Sequence, residues 1–255
     1  MEEQIYKIEN IQSFELADIF DCGQCFRWNK QEDGSYTGVF KGNVMNVQKE
    51  ENTVTFKGIC NGDIKEIVED YFDLDRNYEE IKEQLSKIDE NVKTSIEYGQ
   101  GIRILNQDLW EMIISYIISA NNNIPRIKGI IERLSKNYGK EIEWNGEKYY
   151  TFPTVEELKD VSVEDYRKLG AGFRDIRLYE TAKMILENKV DLQKLRENPD
   201  TKEVREQLLT LSGVGPKVAD CILLFSTLKR FEVFPIDVWV RRVMNELYIK
   251  NEDET

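Results

Sequence analysis

Two glycines, Gly213 and Gly215, interrupt an otherwise apolar segment between residues 208 and 225. Glycine adopts positive φ without steric cost and is unfavourable inside a helix, so the chain must turn here. Pro216 follows directly and suits the first position of a new helix, where its missing N–H costs nothing. The segment therefore predicts two helices joined by a tight turn, with Lys217 in the first turn of the second helix.

Such a turn leaves backbone N–H groups without partners, at its glycines and at the start of the second helix. These groups bind phosphate without reading base sequence. The candidates are the N–H groups of Gly213, Gly215 and Val218, together with that of Trp239 at the start of a later helix. The positive end of a helix disfavours an ammonium group, so the amine of Lys217 is a candidate nucleophile.

Asp237 is a second candidate, 20 residues after Lys217 and just before the helical pattern of residues 238–248. An aspartate in this position is usually an N-cap, whose carboxylate accepts a hydrogen bond from the first turn. A carboxylate between apolar neighbours can also stabilise developing positive charge. Both roles, helix cap and catalytic group, remain open for Asp237.

Residues 213–220 (GVGPKVAD) and 233–238 (VFPIDV) together resemble the hairpin, Gly/Pro-rich loop and aspartate of the helix-hairpin-helix base-excision DNA glycosylases. The lysine is typical of the bifunctional members, which also cleave the DNA strand. The resemblance implies that Lys217 is the nucleophile and that Asp237 assists it. A surface corner between two helices is the structural alternative for the same turn.

The chain is predicted to have the α+β fold class, with an N-terminal antiparallel sheet domain at residues 1–98. Short apolar segments there are separated by the turn signals Asp33-Gly34 and Lys41-Gly42-Asn43. Residues 64–71 and 78–86 have helical periodicity. From residue 99 to residue 255 the periodicity is mostly helical, and residues 109–120 are apolar nearly all round, which predicts a buried central helix.

Two N-terminal segments, residues 22–28 (CGQCFRW) and 71–75 (YFDLD), resemble the 8-oxoguanine subfamily of these glycosylases. Guanine and 8-oxoguanine differ chiefly at N7–H, which one carbonyl acceptor can read. The resemblance implies that the carbonyl of Gly23 is that acceptor. Cys221 follows Lys217 by one helical turn and is predicted either to line the base pocket or to be an ordinary buried cysteine.

Residues 121–126 (NNNIPR) and 169–177 (LGAGFRDIR) supply the remaining candidates. By resemblance, Asn121 and Arg126 lie beside the cytosine that is left unpaired when the lesion is flipped out. Phe173 is predicted to be a wedge between bases, and Arg174 a contact to a base edge or phosphate. The alternatives are a capped asparagine loop, a solvated Arg126 and a Phe173 packed under its turn.

The formal net charge of −13 is unusual for a protein that binds DNA, because neutralising phosphates normally takes a basic surface. A grip through backbone amides needs few lysines, so the charge weakens the DNA hypothesis without excluding it. The composition lacks a membrane-spanning stretch or a signal peptide, which predicts a cytoplasmic protein, or a nuclear one if the source is eukaryotic. A monomer is expected.

The 4 cysteines, Cys22, Cys25, Cys60 and Cys221, are expected to be free thiols, and histidine is absent. The four-cysteine cluster of the iron–sulfur members of this superfamily is missing, and no catalytic cofactor is implied. Related hairpins bind a cation through backbone carbonyls, which here would be those of Leu209, Leu211 and Val214.

Only 18 residues follow Asp237. Members of the subfamily carry further helices that supply an aromatic lid and an amide to the base pocket. The resemblance therefore predicts either a fragment or an open pocket, and neither contact is assigned here. Two other functions stay open: a glycosylase for another lesion such as an alkylated purine, and a hairpin module that binds DNA without catalysis.

Overall fold

The computed structural model describes residues 2–249, so that residues 250–255 of the predicted second domain lie outside it. Its N-terminal part contains strands β1 (Glu3–Ile8), β2 (Trp28–Lys30), β3 (Tyr36–Phe40), β4 (Asn43–Glu50) and β5 (Thr53–Ile59). They form one antiparallel sheet in the order β1-β5-β4-β3-β2. The predicted sheet is confirmed. Strand β1 was not predicted, because this edge strand has no buried residue and hence little hydrophobic alternation.

The turn between β3 and β4 lies at the predicted turn signal Lys41-Gly42-Asn43. Lys41 and Gly42 have φ values of 46° and 78°, and these two positive values suit the right-handed twist of a two-residue hairpin. The turn thereby sets the register in which Val39 pairs with Val44.

Four helices accompany the sheet: α1 (Leu16–Phe20), α2 (Ile64–Tyr71), α3 (Tyr78–Leu85) and α4 (Glu90–Tyr98). The helix predicted at residues 64–71 has those bounds. An aromatic cluster that includes Phe20, Trp28 and Phe72 fills the space between the sheet and α2. Inside it, the indole of Trp28 donates to the Tyr71 hydroxyl over 3.0 Å. The N-terminal part therefore has its own core.

The rest is mostly helical, with α5 (Leu109–Ser119) at its centre. The other helices are α6 (Ile124–Tyr138), α7 (Val163–Lys168), α8 (Asp175–Leu186), α9 (Leu192–Glu197), α10 (Thr201–Leu209), α11 (Pro216–Phe225) and α12 (Val238–Met244). Ten of the 11 residues of α5 are buried, which confirms the predicted central helix. Within residues 2–249, no helix has the length and apolarity needed to cross a membrane.

A second hairpin, β6 (Glu141–Trp144) and β7 (Glu147–Tyr150), interrupts the helical part. Its residues Ile142 and Trp144 pack with Val39, Val44 and Ile59 of the N-terminal sheet. The Trp144 indole also donates to the Glu3 carboxylate over 2.8 Å. Sequence periodicity did not predict these strands, because each has only four residues. The hairpin joins the two parts of the molecule.

The connection between the two parts runs through residues 99–108. Arg103 donates to the carbonyls of Ser13, Gln12 and Asp73, and Leu105 lies in the N-terminal core. The predicted division after residue 98 stays a prediction.

Candidate active site

The glycine turn and the helix after it have the predicted geometry. Gly215 is the N-cap of α11, Pro216 is its first residue and Lys217 lies in its first turn. Gly213 has φ +85°, and a Cβ there would come within 2.9 Å of Arg177 Cδ and 3.2 Å of Ile117. Both the backbone conformation and the close packing therefore require glycine at this position.

Two helix starts have N–H groups that no side chain accepts from. No side chain caps α11, so the N–H groups of Lys217 and Val218 keep their hydrogen-bonding capacity. In α12, the Asp237 carboxylate accepts from the Val240 N–H over 2.8 Å, which confirms Asp237 as an N-cap. This cap leaves the N–H of the exposed Trp239 without a side-chain acceptor. Of the predicted amide donors, those of Val218 and Trp239 thus lie at helix starts without a side-chain acceptor, and phosphate binding stays a prediction.

The side chains of Lys217, Cys221 and Asp237 lie near one another. The Lys217 Nζ atom is 5.5 Å from the centroid of the Tyr116 ring. Cys221 is 2 % exposed. Burial raises the pKa of its thiol, the neighbouring Lys217 opposes this effect, and the charge of Asp237 adds to it. The tertiary structure therefore brings together the predicted nucleophile, the predicted carboxylate and the candidate pocket cysteine.

Gly23, in the N-terminal part, contacts the side chain of Tyr116, which lies next to Lys217. It has φ +87°, and nothing lies within 4 Å of where a Cβ would stand, so its backbone borders open space. Its carbonyl oxygen is 3.5 Å from the Tyr116 hydroxyl, the side chain whose ring lies beneath Lys217. The two parts of the chain thus meet at Tyr116.

Two buried glutamines hold the Gly23 loop in place, and neither was singled out from the sequence. Gln24 donates to the carbonyls of Ile19 and Arg103, at 2.9 Å and 2.7 Å, and accepts from the Leu105 N–H. Gln107 donates to the Gln24 carbonyl over 2.8 Å. All of these bonds except the one to Ile19 link distant segments, so sequence periodicity carries no signal for them.

Tyr116 was also missed as a site residue. The sequence placed it only within the buried central helix. A detectable signal exists, because it is the single tyrosine among residues 109–120 and a buried phenol needs a hydrogen-bond partner. That partner, however, is identified only in the folded chain.

The three asparagines after α5 have different structural roles. Asn122 donates to the Ile118 carbonyl at the end of α5, and Asn123 is the N-cap of α6, accepting from the Arg126 N–H over 3.0 Å. Asn121 is exposed and has φ +50°, a conformation that asparagine tolerates better than most residues. The capped-loop interpretation therefore fits two of the three residues, and Asn121 lies at the surface.

Phe173 stands at the tip of the loop before α8 and is 57 % exposed. The guanidinium of Arg174 lies 4.2 Å from the centre of its ring and that of Arg177 5.3 Å. The alternative in which Phe173 packs beneath its turn does not hold. Arg126 is exposed as well, with a 3.5 Å contact to the Gly170 carbonyl on the same loop.

Arg174, for which a contact to a base edge or phosphate was predicted, lies inside the protein. It is 1 % exposed, and its guanidinium donates to the carbonyls of Ala120, Asn121 and Ala171. Burial lowers the pKa of Arg174, and the charges of Arg126 and Arg177 lower it further. Its donors are committed to backbone, so the geometry makes Arg174 a link between the Asn121 loop and the Phe173 loop. The predicted contact with DNA stays untested.

We expect Arg174→Met to destabilise the protein by about 2–4 kcal/mol, since buried carbonyls lose charged donors. The measurement is the free energy of unfolding in urea. Arg126→Met is the matched control, because it removes an exposed guanidinium from the same loops and should change stability by less than about 0.5 kcal/mol. Equal losses in the two variants would contradict the linking role of Arg174.

The predicted carbonyl site for a cation stays a prediction. Of its three members, Leu211 accepts a hydrogen bond from the Val214 N–H over 3.1 Å, which leaves one lone pair on that oxygen. Within residues 2–249, no group of three or more His, Cys, Asp or Glu side chains is arranged to hold a metal ion.

Comparison with known families agrees with this geometry. Residues 7–113 match the model of the 8-oxoguanine DNA glycosylase N-terminal domain, and residues 114–255 match that of the HhH-GPD superfamily base excision DNA repair proteins. The N-glycosylase/DNA lyase of Saccharomyces cerevisiae is 32% identical over 91% of this chain and 68% of its own length. A probable N-glycosylase/DNA lyase of Methanothermobacter thermautotrophicus is 35% identical over 72% of this chain and 64% of its own length. The chain thus spans about two thirds of these relatives.

Among solved structures, the chain is similar to the 8-oxoguanine glycosylase/lyase of Clostridium acetobutylicum. That protein was crystallised with double-stranded DNA containing cytosine opposite 8-oxoguanine. The two chains are 43% identical, the TM-score is 0.93, and the match covers 99% of this chain and 87% of the other.

Proposed function

Because the chain belongs to the HhH-GPD superfamily of base-excision DNA repair proteins and carries the N-terminal domain of 8-oxoguanine DNA glycosylases, we propose that it removes 8-oxoguanine paired with cytosine. It then cleaves the strand at the resulting abasic site. The partner is double-stranded DNA, and the chemistry needs no cofactor. The observation that carries this proposal is that Lys217 and Asp237 both lie near Cys221, while Tyr116 lies between Lys217 and the Gly23 carbonyl.

The reaction centre is the amine of Lys217. The base inside a duplex is inaccessible at its sugar, so the nucleotide must first be flipped out of the stack. The neutral amine attacks C1′ and the base leaves with the electrons of the glycosidic bond. The covalent adduct opens to a Schiff base, loss of a proton from C2′ follows, and β-elimination breaks the bond between C3′ and its oxygen. Asp237 stabilises the positive charge that develops on the sugar.

The base is read by the carbonyl of Gly23. A carbonyl accepts from the N7–H of 8-oxoguanine and repels the N7 lone pair of guanine. Gly23 suits this task because its backbone borders open space and its loop is held by the buried Gln24. Cys221, one helical turn after Lys217 and 2 % exposed, forms a wall of the same pocket.

The DNA backbone is held by amides at the two helix starts. The N–H groups of Gly213, Gly215 and Val218 at the hairpin, and of Trp239 on α12, donate to phosphates. A cation on the carbonyls of Leu209, Leu211 and Val214 would strengthen this grip and take no part in the chemistry. Because this grip uses backbone amides and few lysines, it is compatible with the net charge of −13. Binding should still weaken as salt is added, since the contacts are to charged phosphates.

The strand opposite the lesion is held by the surface loops around Arg174. Phe173 is exposed at a loop tip and wedges into the base stack. Asn121 and Arg126 occupy the space that the flipped nucleotide leaves. Arg174 contributes by holding the two loops together, as its carbonyl contacts indicate.

The test is incubation with duplexes that contain either 8-oxoguanine opposite cytosine or a methylated purine, in the presence of borohydride. We expect release of 8-oxoguanine, strand cleavage and a covalent protein–DNA adduct with the first duplex alone. Release of the methylated base without an adduct would support a glycosylase for alkylated purines. Binding without release from either duplex would leave only a DNA-binding module.

The identity of the opposite base tests Arg126. Its guanidinium can donate to O2 and N3 of an unpaired cytosine, whereas adenine presents an amino donor beside its N1 acceptor. A hydrogen bond to a charged donor corresponds to about 1.5–3 kcal/mol, so cytosine should be preferred by about tenfold or more. Arg126→Ala should remove most of this preference, as measured by base-release rates at one fixed salt concentration.

Arg133→Ala is the matched control for this experiment, because Arg133 lies on the same helix and donates to the Leu169 carbonyl over 2.8 Å. It should retain the preference for cytosine. A wild-type ratio near one, or a ratio that survives Arg126→Ala, would show that the opposite base is read elsewhere.

A further inference from the structure

Tyr116 lies beside both the predicted base-reading carbonyl and the predicted nucleophile. Its hydroxyl lies 3.5 Å from the Gly23 carbonyl and 3.3 Å from the Gln24 carbonyl, while its ring lies 5.5 Å from the Lys217 Nζ atom. From the geometry, we propose that Tyr116 is a specificity-determining positioning residue, whose hydroxyl aims the Gly23 carbonyl at the base. This inference rests on the proposed removal of 8-oxoguanine.

The two carbonyls depend on Tyr116 to different degrees. The Gln24 carbonyl also accepts from the Gln107 amide over 2.8 Å. The Tyr116 hydroxyl has one proton, which the two carbonyls share, and it is the single donor to the Gly23 carbonyl among residues 2–249. Gly23 also has no side chain to pack, and open space surrounds the position of a Cβ. Loss of the hydroxyl therefore frees the Gly23 carbonyl more than the Gln24 carbonyl.

The ring of Tyr116 is immobilised independently of its hydroxyl. It stacks on Phe225 of α11 at 6.1 Å and meets the edge of Phe26 at 5.7 Å. The side chain is 2 % exposed, and burial raises its pKa well above the ordinary value, so the hydroxyl remains a donor. Tyr116→Phe therefore removes the donor and leaves the surface beneath Lys217.

The experiment compares two activities of Tyr116→Phe. Release of 8-oxoguanine requires both the reading carbonyl and Lys217, whereas borohydride trapping on a preformed abasic site requires Lys217 without a base to read. We expect base release to fall by about three- to tenfold, the equivalent of one hydrogen bond. Adduct formation on the abasic duplex should fall by less than about twofold, since the ring stays in place.

Binding supplies a second measurement. The affinities for duplexes with 8-oxoguanine and with guanine are compared in the Lys217→Gln protein, with and without Tyr116→Phe. The ratio of the two dissociation constants should shrink by about three- to tenfold, because a loosely aimed carbonyl distinguishes N7–H from a lone pair less well. The shift should come from weaker binding of the 8-oxoguanine duplex.

Tyr166→Phe is the matched control. Tyr166 is 1 % exposed, and its hydroxyl has no hydrogen-bond partner within residues 2–249. Its loss should affect neither activity. Equal losses of base release and adduct formation in Tyr116→Phe, or no loss of either, would overturn the positioning role of Tyr116. Either result would leave the proposed removal of 8-oxoguanine intact. A wild-type protein that traps on abasic sites but releases no 8-oxoguanine would contradict the proposed function, and the inference with it.

Discussion

Replacing Lys217 by glutamine is expected to abolish both release of 8-oxoguanine and formation of the borohydride-trapped adduct. Glutamine keeps a polar side chain only one atom shorter than lysine but has no amine to form a bond with C1′. The backbone N–H groups that start α11 remain, and so does Gly213 in the turn. Affinity for lesion-containing duplex should therefore stay within about threefold of wild type, because phosphate contacts do not involve the side chain.

The control is Lys202→Gln, which removes a lysine from the equivalent position of the preceding helix. Lys202 lies in the first turn of α10, where Asp200 caps the helix. Both variants remove one lysine amine near a helix start, so a general effect of losing a lysine at such a position predicts similar losses. Full activity in Lys202→Gln and none in Lys217→Gln is the expected result. An undiminished adduct in Lys217→Gln would show that another amine is the nucleophile.

Replacing Asp237 by asparagine is expected to slow base release by about a hundred- to a thousandfold, since a neutral amide cannot offset developing positive charge on the sugar. Asparagine is nearly as good an N-cap as aspartate, so α12 should keep its start and the free energy of unfolding should change by less than about 0.5 kcal/mol. Single-turnover release and thermal unfolding are measured on the same preparations.

Asp200→Asn is the matched substitution, because Asp200 is also an N-cap and accepts from the N–H groups of Lys202 and Glu203. It should leave the rate of base release intact. If Asp237→Asn also releases the base at the wild-type rate, Asp237 is a cap and nothing more.

Local chemistry accounts for the parts of this protein that could be predicted from its sequence. Glycine and proline mark the hairpin before α11, and Asp237 marks the start of α12, because φ freedom, a missing N–H and a capping oxygen each act within a few residues. Periodicity predicted β3, β4 and the buried helix α5 for the same reason. Lys217 and Asp237 could be selected because each stands at a locally defined helix start.

Sequence patterns were weaker where an element is short or lies at an edge. Strand β1 buries no residue, and β6 and β7 have four residues each, so hydrophobic alternation has too few positions to be distinctive. Only packing against the sheet makes Ile142 and Trp144 a structural element.

The partners of polar side chains were decided by the tertiary structure alone. Arg174 was predicted to contact DNA because a guanidinium suits phosphate. The structure adds what the sequence did not indicate, that its donors bond the carbonyls of Ala120 and Asn121, more than 50 residues away in the chain. Tyr116 and Gly23 are separated by 93 positions. The sequence shows that a side chain can donate a hydrogen bond but not which group accepts it. The acceptor is decided by the fold, which here brings a remote backbone carbonyl to within 3.5 Å of the donor.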